Sequence, residues 1–195
     1  RKGGVRPTRL QINSHAVAFR EIGQLANVST GQRLEHAQDQ NVRLVPGCEA
    51  PVSAIYSRGS RGAAIRIPKD ANRPESARME FRPPDATCNP YLAIAAQLMA
   101  GIDGVRRRMD PTALGFGPYD EDVFNWPAER RAQIKALPTS LDEALDALER
   151  DQEFLLEGGV FSREMLDRWT KRKRSEERSV RDRPHPFEIE LYYDL

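Results

Sequence analysis

The chain has 195 residues, 30% of them charged, with a formal net charge of +1. That length accommodates one domain with a real core, and so even a charge balance excludes bulk electrostatic attraction to nucleic acid or to a membrane surface. Two cysteines, Cys48 and Cys88, lie far apart with no CxxC spacing, which excludes a disulfide scaffold or a zinc ribbon and points to a reducing, cytoplasmic setting. No apolar run approaches the ~20 residues that span a bilayer. Arg1 to Arg9 is basic but is followed by no apolar stretch of the signal-peptide kind. The first residue is arginine rather than methionine, so the sequence reads as starting inside a longer chain.

Residues 1–41 stay unassigned. Within them, 16–27 fits one helix with Ala16, Phe19, Ile22, Gly23 and Ala26 on a face, while 29–41 is polar and aperiodic. From Val42 the patterning sharpens. Residues 48–58 and 63–68 are strand-like, the second with Ala63, Ile65 and Ile67 alternating against Ala64 and Arg66. Residues 69–76 are turn-rich, and "ARMEFRPPD" (77–85) is a further strand with Ala77, Met79 and Phe81 on one side and Arg78, Glu80 and Arg82 on the other. The last two strands and their turn predict an antiparallel hairpin.

Asn89-Pro90 is an N-cap followed by proline at the first helical position. The helix behind it, "YLAIAAQLMAGIDGV", is apolar nearly all round, which predicts burial on every side. Residues 110–122 read as a loop. Ser140 to Glu143 is a capping-box pattern that opens a helix through about Leu156. "LEGGVF" ends it, and Ser162 starts another helix containing Trp169. Strands come first and helices afterwards, so the fold class is α+β, antiparallel strands followed by packed helices.

Seven arginines (43, 58, 61, 66, 73, 78 and 82) and three glutamates (49, 75 and 80) fall between Arg43 and Arg82. Guanidinium forks suit carboxylate and phosphate, and a carboxylate among them suits a hard cation such as Mg²⁺ or Mn²⁺. From spacing alone two readings stand: an anion-and-metal site around Glu80, or a solvated, salt-bridged strand face. Other candidates carry blander readings. His185 between two prolines reads as a turn, Asp85 as part of a turn, Gly101 to Gly104 as close helix packing, and Lys171 to Arg174 as a solvated basic helix face. His15 and His36 lie in the unpatterned segment.

Five stretches in order, "RLVPGCEAPV" (43–52), "SRGSRGAAIRIP" (57–68), "ARMEFRPPDATCNPYLAIAAQLMAGIDG" (77–104), "EGGVF" (157–161) and "RPHPFEIELYYDL" (183–195), resemble the C-terminal part of the catalytic domain of type I glutamine synthetases. The resemblance runs from Val42 to Leu195. It implies an ATP-dependent ligase in which the glutamate side chain is phosphorylated and ammonia then displaces phosphate. Matched position by position, it implies that Arg43 and Arg82 bind glutamate, and that Glu49 covers the site and helps deprotonate ammonium. It also implies that Arg61 contacts the transferring phosphate, that Arg66 and Arg78 bind nucleotide phosphates, and that Glu80 ligates a divalent metal. The co-substrate would be ATP with Mg²⁺ or Mn²⁺, and the partners glutamate, ammonia and further copies of the chain in a dodecamer, joined in part through the C-terminal tail.

The departures are specific. Glu75 stands where the family commonly has a lysine, Phe124 where some members carry a tyrosine modified by adenylylation, and Cys48 where an aromatic is usual. The family's N-terminal domain and the upstream half of its catalytic domain have no counterpart here, so the expectation is a truncated or frame-shifted start and no activity from this chain alone. Two alternatives stand beside a glutamine synthetase: a γ-glutamyl–amine ligase of the same superfamily, and a non-catalytic copy that associates with a full-length synthetase.

Overall fold

A computed structural model describes residues 51–71, 74–84 and 88–193. The expected helix at 16–27, the polar stretch after it, and Arg43, Cys48, Glu49, Arg73 and Asp85 lie outside the described residues.

A three-stranded sheet comes first, in spatial order β1-β2-β3. Its strands are β1 (Ser53–Ser57), β2 (Ala63–Arg66) and β3 (Glu80–Phe81). The hairpin expectation holds: β2 and β3 are antiparallel, with Ile65 opposite Phe81 and Arg66 opposite Glu80. β1, however, pairs with β2 in parallel, so the sheet is mixed rather than antiparallel throughout. β3 is also shorter than its sequence pattern predicts. Residues 77–79 leave the ladder, and Met79, expected on the apolar side, is exposed. A backbone bond from the Arg82 N–H to the Ala64 carbonyl (3.0 Å) carries the pairing one residue past the strand.

β2 is central, and Ala63, Ala64 and Ile65 are all fully buried. Its alternation therefore does not separate a wet face from a dry one, because the sheet has cover on both sides. One cluster joins Ala54, Tyr56, Ala64, Ile65 and Leu137; another joins Ile55, Ala63, Val123 and Trp126. The outer edge of β1 is also covered. Tyr56 donates to the Phe116 carbonyl (2.9 Å) and accepts from the Tyr119 N–H (3.0 Å), while Ala54 donates to Lys135 (2.8 Å). Gly117 makes this approach feasible. Its φ is +128°, and a Cβ there would sit 2.6 Å from the Tyr56 carbonyl oxygen.

The helices follow. α1 (Pro90–Arg107) starts where Asn89 and Pro90 predict, with the Asn89 side chain accepting from the N–H groups of Tyr91 and Leu92. A 3₁₀ turn at Val123–Asn125 and the short α2 (Ala128–Arg131) come next, neither marked in the sequence reading. The helix expected from Ser140 to about Leu156 is two: α3 (Leu141–Arg150) and α4 (Glu153–Leu156), separated at Asp151-Gln152. α5 (Arg163–Arg181) is capped by Ser162, and α6 (Pro186–Tyr192) by His185. The break between α3 and α4 lets Leu148 and Phe154 enter one core, shared with Ala96, Met99, Ala100, Leu155, Phe161 and Leu166.

Two expectations about helix faces need correction. α1 is not buried all round: Tyr91, Ile94 and Leu98 are 84%, 65% and 62% exposed. Nor is Lys171 to Arg174 a merely solvated face. Lys173 is buried, bonded to Glu176 (2.6 Å) and 5.0 Å from the centre of the Trp169 ring. Arg174 reaches across to α3, where it contacts Asp142 (3.1 Å), Asp146 (2.6 Å) and Glu149 (2.5 Å). The bonds it donates to Asp146 and Glu149 push its pKa further upward still.

The α3 cap makes a pH prediction. Ser140 accepts from the Glu143 N–H (3.2 Å), and the Glu143 carboxylate accepts from the Thr139 N–H (2.7 Å) and hydroxyl (2.9 Å). The Thr139 N–H, and then its hydroxyl, hold the Glu143 carboxyl below its ordinary value of 4.5. A folded-state pKa that is depressed contributes stability above the unfolded pKa and loses it as pH falls through the folded one. Urea midpoints measured from pH 7 to 3 are therefore expected to fall below about pH 4.5, and less steeply in Glu143→Gln. Identical slopes in the two chains would remove the cap as a cause.

Candidate active-site wall

The arginines and Glu80 gather on and beside the β2–β3 hairpin. Arg66 and Glu80 are register partners across antiparallel strands, so their side chains share a face. Arg66 Nη1 bonds Glu80 Oε2 at 2.9 Å, and Arg66 Nε donates to the Gly59 carbonyl (3.1 Å). Both side chains remain partly accessible, 24% and 35% exposed. A pair this wet contributes about 1 kcal/mol or less to stability. Both groups thus stay available to a ligand at small energetic cost.

Arg78, expected beside Glu80, is held elsewhere. It lies on irregular backbone before β3, and its guanidinium grips both carboxylate oxygens of Asp70, at 3.1 and 2.8 Å. That fork holds the Asp70 carboxyl below its ordinary value. Arg82 follows β3 and is half-buried, and Arg61 is exposed on the loop between β1 and β2. The structure therefore brings Arg66 and Glu80 into contact, sets Arg61, Arg78 and Arg82 on adjoining segments, and leaves Arg43 and Glu49 outside the described residues.

The β1–β2 loop owes its shape to residues that sequence reasoning missed. The Ser57 hydroxyl is fully buried; it donates to Asp120 Oδ1 (3.2 Å) and accepts from the Ser60 N–H (3.1 Å). Asp120 also accepts from the Arg58 N–H at 2.6 Å. Asp120 lies more than 60 positions from Ser57, and a run of acidic residues in a loop offers no local sign of that role. Phe124 packs nearby, its ring 3.5 Å from where a Gly62 Cβ would stand. A cavity of about 490 Å³ opens beside Phe124, between Val52, Ile134 and Leu137. Its lining is mostly apolar with Arg131 at its rim, so it is not built for phosphate.

Other candidates resolve plainly. His185 is a helix cap, accepting at Nδ1 from the Phe187 N–H (3.1 Å). Gly101 and Gly104 lie within α1, but among the described residues nothing lies within 4 Å of where a Gly101 Cβ would stand, so none of them packs closely enough to require that glycine. Among the described residues no group of three or more His, Cys, Asp or Glu side chains converges as a metal cluster, and no helix is long and apolar enough to cross a membrane. Glu80 fits one ligand's share of a divalent-cation site: a hard oxygen donor, accessible, on a strand. Among the described residues it is not joined by two further His, Cys, Asp or Glu side chains.

Comparison with known proteins gives this arrangement a context. A glutamine synthetase of Aquifex aeolicus is 52% identical over 153 residues, and one of Frankia alni is 48% identical over 154. Each alignment covers 78% of this chain and 32% of the relative, so the chain spans about a third of the length of the curated relatives it matches. A solved structure described as a GmaS/ADP complex, conformation 1, superposes on all of this chain with a TM-score of 0.72 and 25% identity, the chain covering 42% of it. The family model "Glutamine synthetase, catalytic domain" matches residues 40–192. The α+β chain that carries the Arg66–Glu80 hairpin belongs to the glutamine synthetase family.

Proposed function

We propose that this chain forms the C-terminal part of a glutamine synthetase catalytic domain and supplies one wall of a site that joins ammonia to L-glutamate at the expense of ATP. The observation that carries the reading is the accessible Arg66–Glu80 pair, presented on one strand face within the segment matched to the catalytic domain. The solved neighbour's complex with ADP adds support for a nucleotide at such a fold.

In this reading a γ-carboxylate oxygen of glutamate attacks the terminal phosphorus of ATP, and ADP leaves. Ammonia nitrogen then attacks the acyl carbon and phosphate leaves, with Glu49 accepting the proton that ammonium gives up. Phosphoryl transfer between anions is governed by positioning and charge neutralisation. Arg43 and Arg82 would hold glutamate, Arg66 and Arg78 the nucleotide phosphates, and Arg61 the charge on the transferring group. To engage ligand fully, Arg66 would exchange Glu80, and Arg78 would exchange Asp70, for phosphate oxygens. Glu80 would hold a divalent cation, Mg²⁺ or Mn²⁺, whose charge screens the phosphates from the incoming carboxylate. Self-assembly through the tail belongs to the same proposal. α6 buries none of its residues, and Phe187, Ile189, Leu191 and Tyr192 are all exposed.

The test is a chimaera in which residues 40–192 replace the matching segment of the Aquifex aeolicus glutamine synthetase. It is expected to catalyse γ-glutamyl transfer to hydroxylamine with Mn²⁺ and ADP, while the 195-residue chain alone does not. An inactive but folded chimaera would refute the ligase reading, and an active isolated chain would refute the view that the wall needs the rest of the site.

A further inference from the structure

The loop between β1 and β2, residues 58–62, is five residues long, yet it joins strands that run parallel. Such a crossover ordinarily takes about a dozen residues or more. A connection this short has no helix to hold it, so its backbone N–H groups need partners elsewhere. They find side chains. The Arg58 N–H donates to Asp120 Oδ1 (2.6 Å), the Ser60 N–H to Ser57 Oγ (3.1 Å) and the Gly62 N–H to Ser60 Oγ (3.3 Å). Ser57, fully buried, donates its own hydroxyl to the same Asp120 oxygen (3.2 Å). One carboxylate oxygen thus receives both donors at the point where the chain leaves β1.

Asp120 itself stands on firm backbone. The preceding residue, Tyr119, donates its N–H to the Tyr56 carbonyl (3.0 Å), and Gly117 allows that close approach. The far end of the loop is braced from the same segment. There the Asp122 side chain accepts from the Phe124 N–H (3.0 Å), and the Phe124 ring lies 3.5 Å from where a Gly62 Cβ would stand. Arg61 is carried between these two supports. The loop is also tied to the Arg66–Glu80 pair, because Arg66 Nε donates to the Gly59 carbonyl (3.1 Å).

We propose that Asp120 is a positioning residue for phosphoryl transfer: through the Ser57 hydroxyl and the Arg58 N–H it anchors the β1–β2 loop in the form that presents Arg61 to the transferring phosphate. The inference rests on the reading of Arg61 as the contact to that phosphate. In that reading Asp120 touches no reacting atom. A guanidinium that meets charge developing in the transition state acts by preorganisation, and misplacement by about 1 Å costs roughly a hundredfold. Losing the anchor should therefore lower kcat and leave KM nearly as it was.

The experiment has two arms. In the full 195-residue chain, trypsin cleavage after Arg58 and Arg61 is followed by mass spectrometry. Asp120→Ala is expected to speed it at least tenfold. Cleavage after Arg168, within α5, should keep the parental rate, which separates local loosening from global unfolding. In the Aquifex chimaera, Asp120→Ala is expected to lower kcat for phosphate release from ATP with glutamate and ammonia at least tenfold. KM for ATP and for glutamate should stay within threefold. Asp120→Asn keeps an acceptor oxygen in place and is expected to recover most of both losses. A loop as resistant in Asp120→Ala as in the parent would overturn the proposal. So would parental kcat in Asp120→Ala where Arg61→Ala is inactive. Parental kcat in Arg61→Ala, with the loop loosened by Asp120→Ala, would instead show the anchor to be real and the phosphate reading of Arg61 to be wrong.

Discussion

Replacing Glu80 with alanine in the active chimaera is expected to lower Mn²⁺-dependent γ-glutamyl transfer by a hundredfold or more while leaving the fold in place. A hundredfold corresponds to about 2.7 kcal/mol of lost transition-state stabilisation, a modest share of what a cation contributes to phosphoryl chemistry. The structural cost is smaller. Glu80 is 35% exposed and Arg66 is 24% exposed, so the guanidinium left behind is solvated, and the pair's loss costs about 1 kcal/mol or less. Arg66 also keeps its bond to the Gly59 carbonyl. Activity and stability should therefore separate, the melting temperature shifting by only a few degrees. Glu80→Gln sharpens the comparison, since an amide oxygen still accepts from Arg66 but carries no charge for a cation. It is expected to match alanine in activity and the parent in stability. Transfer within threefold of the parent in both variants would dismiss Glu80 as a ligand.

The second large effect is on folding. Phe154→Ala is expected to destabilise the chain by about 3–5 kcal/mol, read as a lower urea midpoint followed by circular dichroism. Phe154 is 1% exposed and shares a cluster with Ala96, Met99 and Ala100 of α1, Leu148 of α3 and Leu166 of α5. One truncation thus opens a cavity where four helices meet, and a loss of that size is a large share of the ~5–15 kcal/mol that holds an ordinary domain together. Tyr91→Ala on α1 supplies the contrast. With 84% of its surface exposed, Tyr91 contributes little in this chain, and its removal is expected to shift stability by under about 0.5 kcal/mol. Comparable losses from the two substitutions would mean that α1 is packed the other way round.

The contrast between Phe154 and Tyr91 also marks the limit of what the sequence discloses. Asn89-Pro90 announces the start of α1, and Ser140 and Ser162 announce α3 and α5, because a cap is satisfied by N–H groups within one turn of itself. The β2–β3 hairpin and the α+β order were legible for the same reason, as alternation and turn residues act over short range. The collinear motifs named the family, and with it the arginine and glutamate residue types gathered on the hairpin. They did not show which cation holds which anion.

Tertiary structure decided those pairings. Arg66 takes Glu80 across the hairpin, and Arg78 takes Asp70 instead of standing beside Glu80. Arg174 leaves the solvated face for three carboxylates on α3, and Ser57 and Asp120 fix a loop across more than 60 positions. Which side of α1 stays bare was likewise invisible, since its sequence is apolar on both faces. Hydrophobicity states what a side chain prefers to leave, not which neighbour receives it. The caps and the arginine–glutamate alphabet of the hairpin were therefore determined by sequence alone, whereas the pairing within it and the uncovered stripe were settled only when distant segments packed, because burial and ion pairing depend on partners that local sequence does not contain.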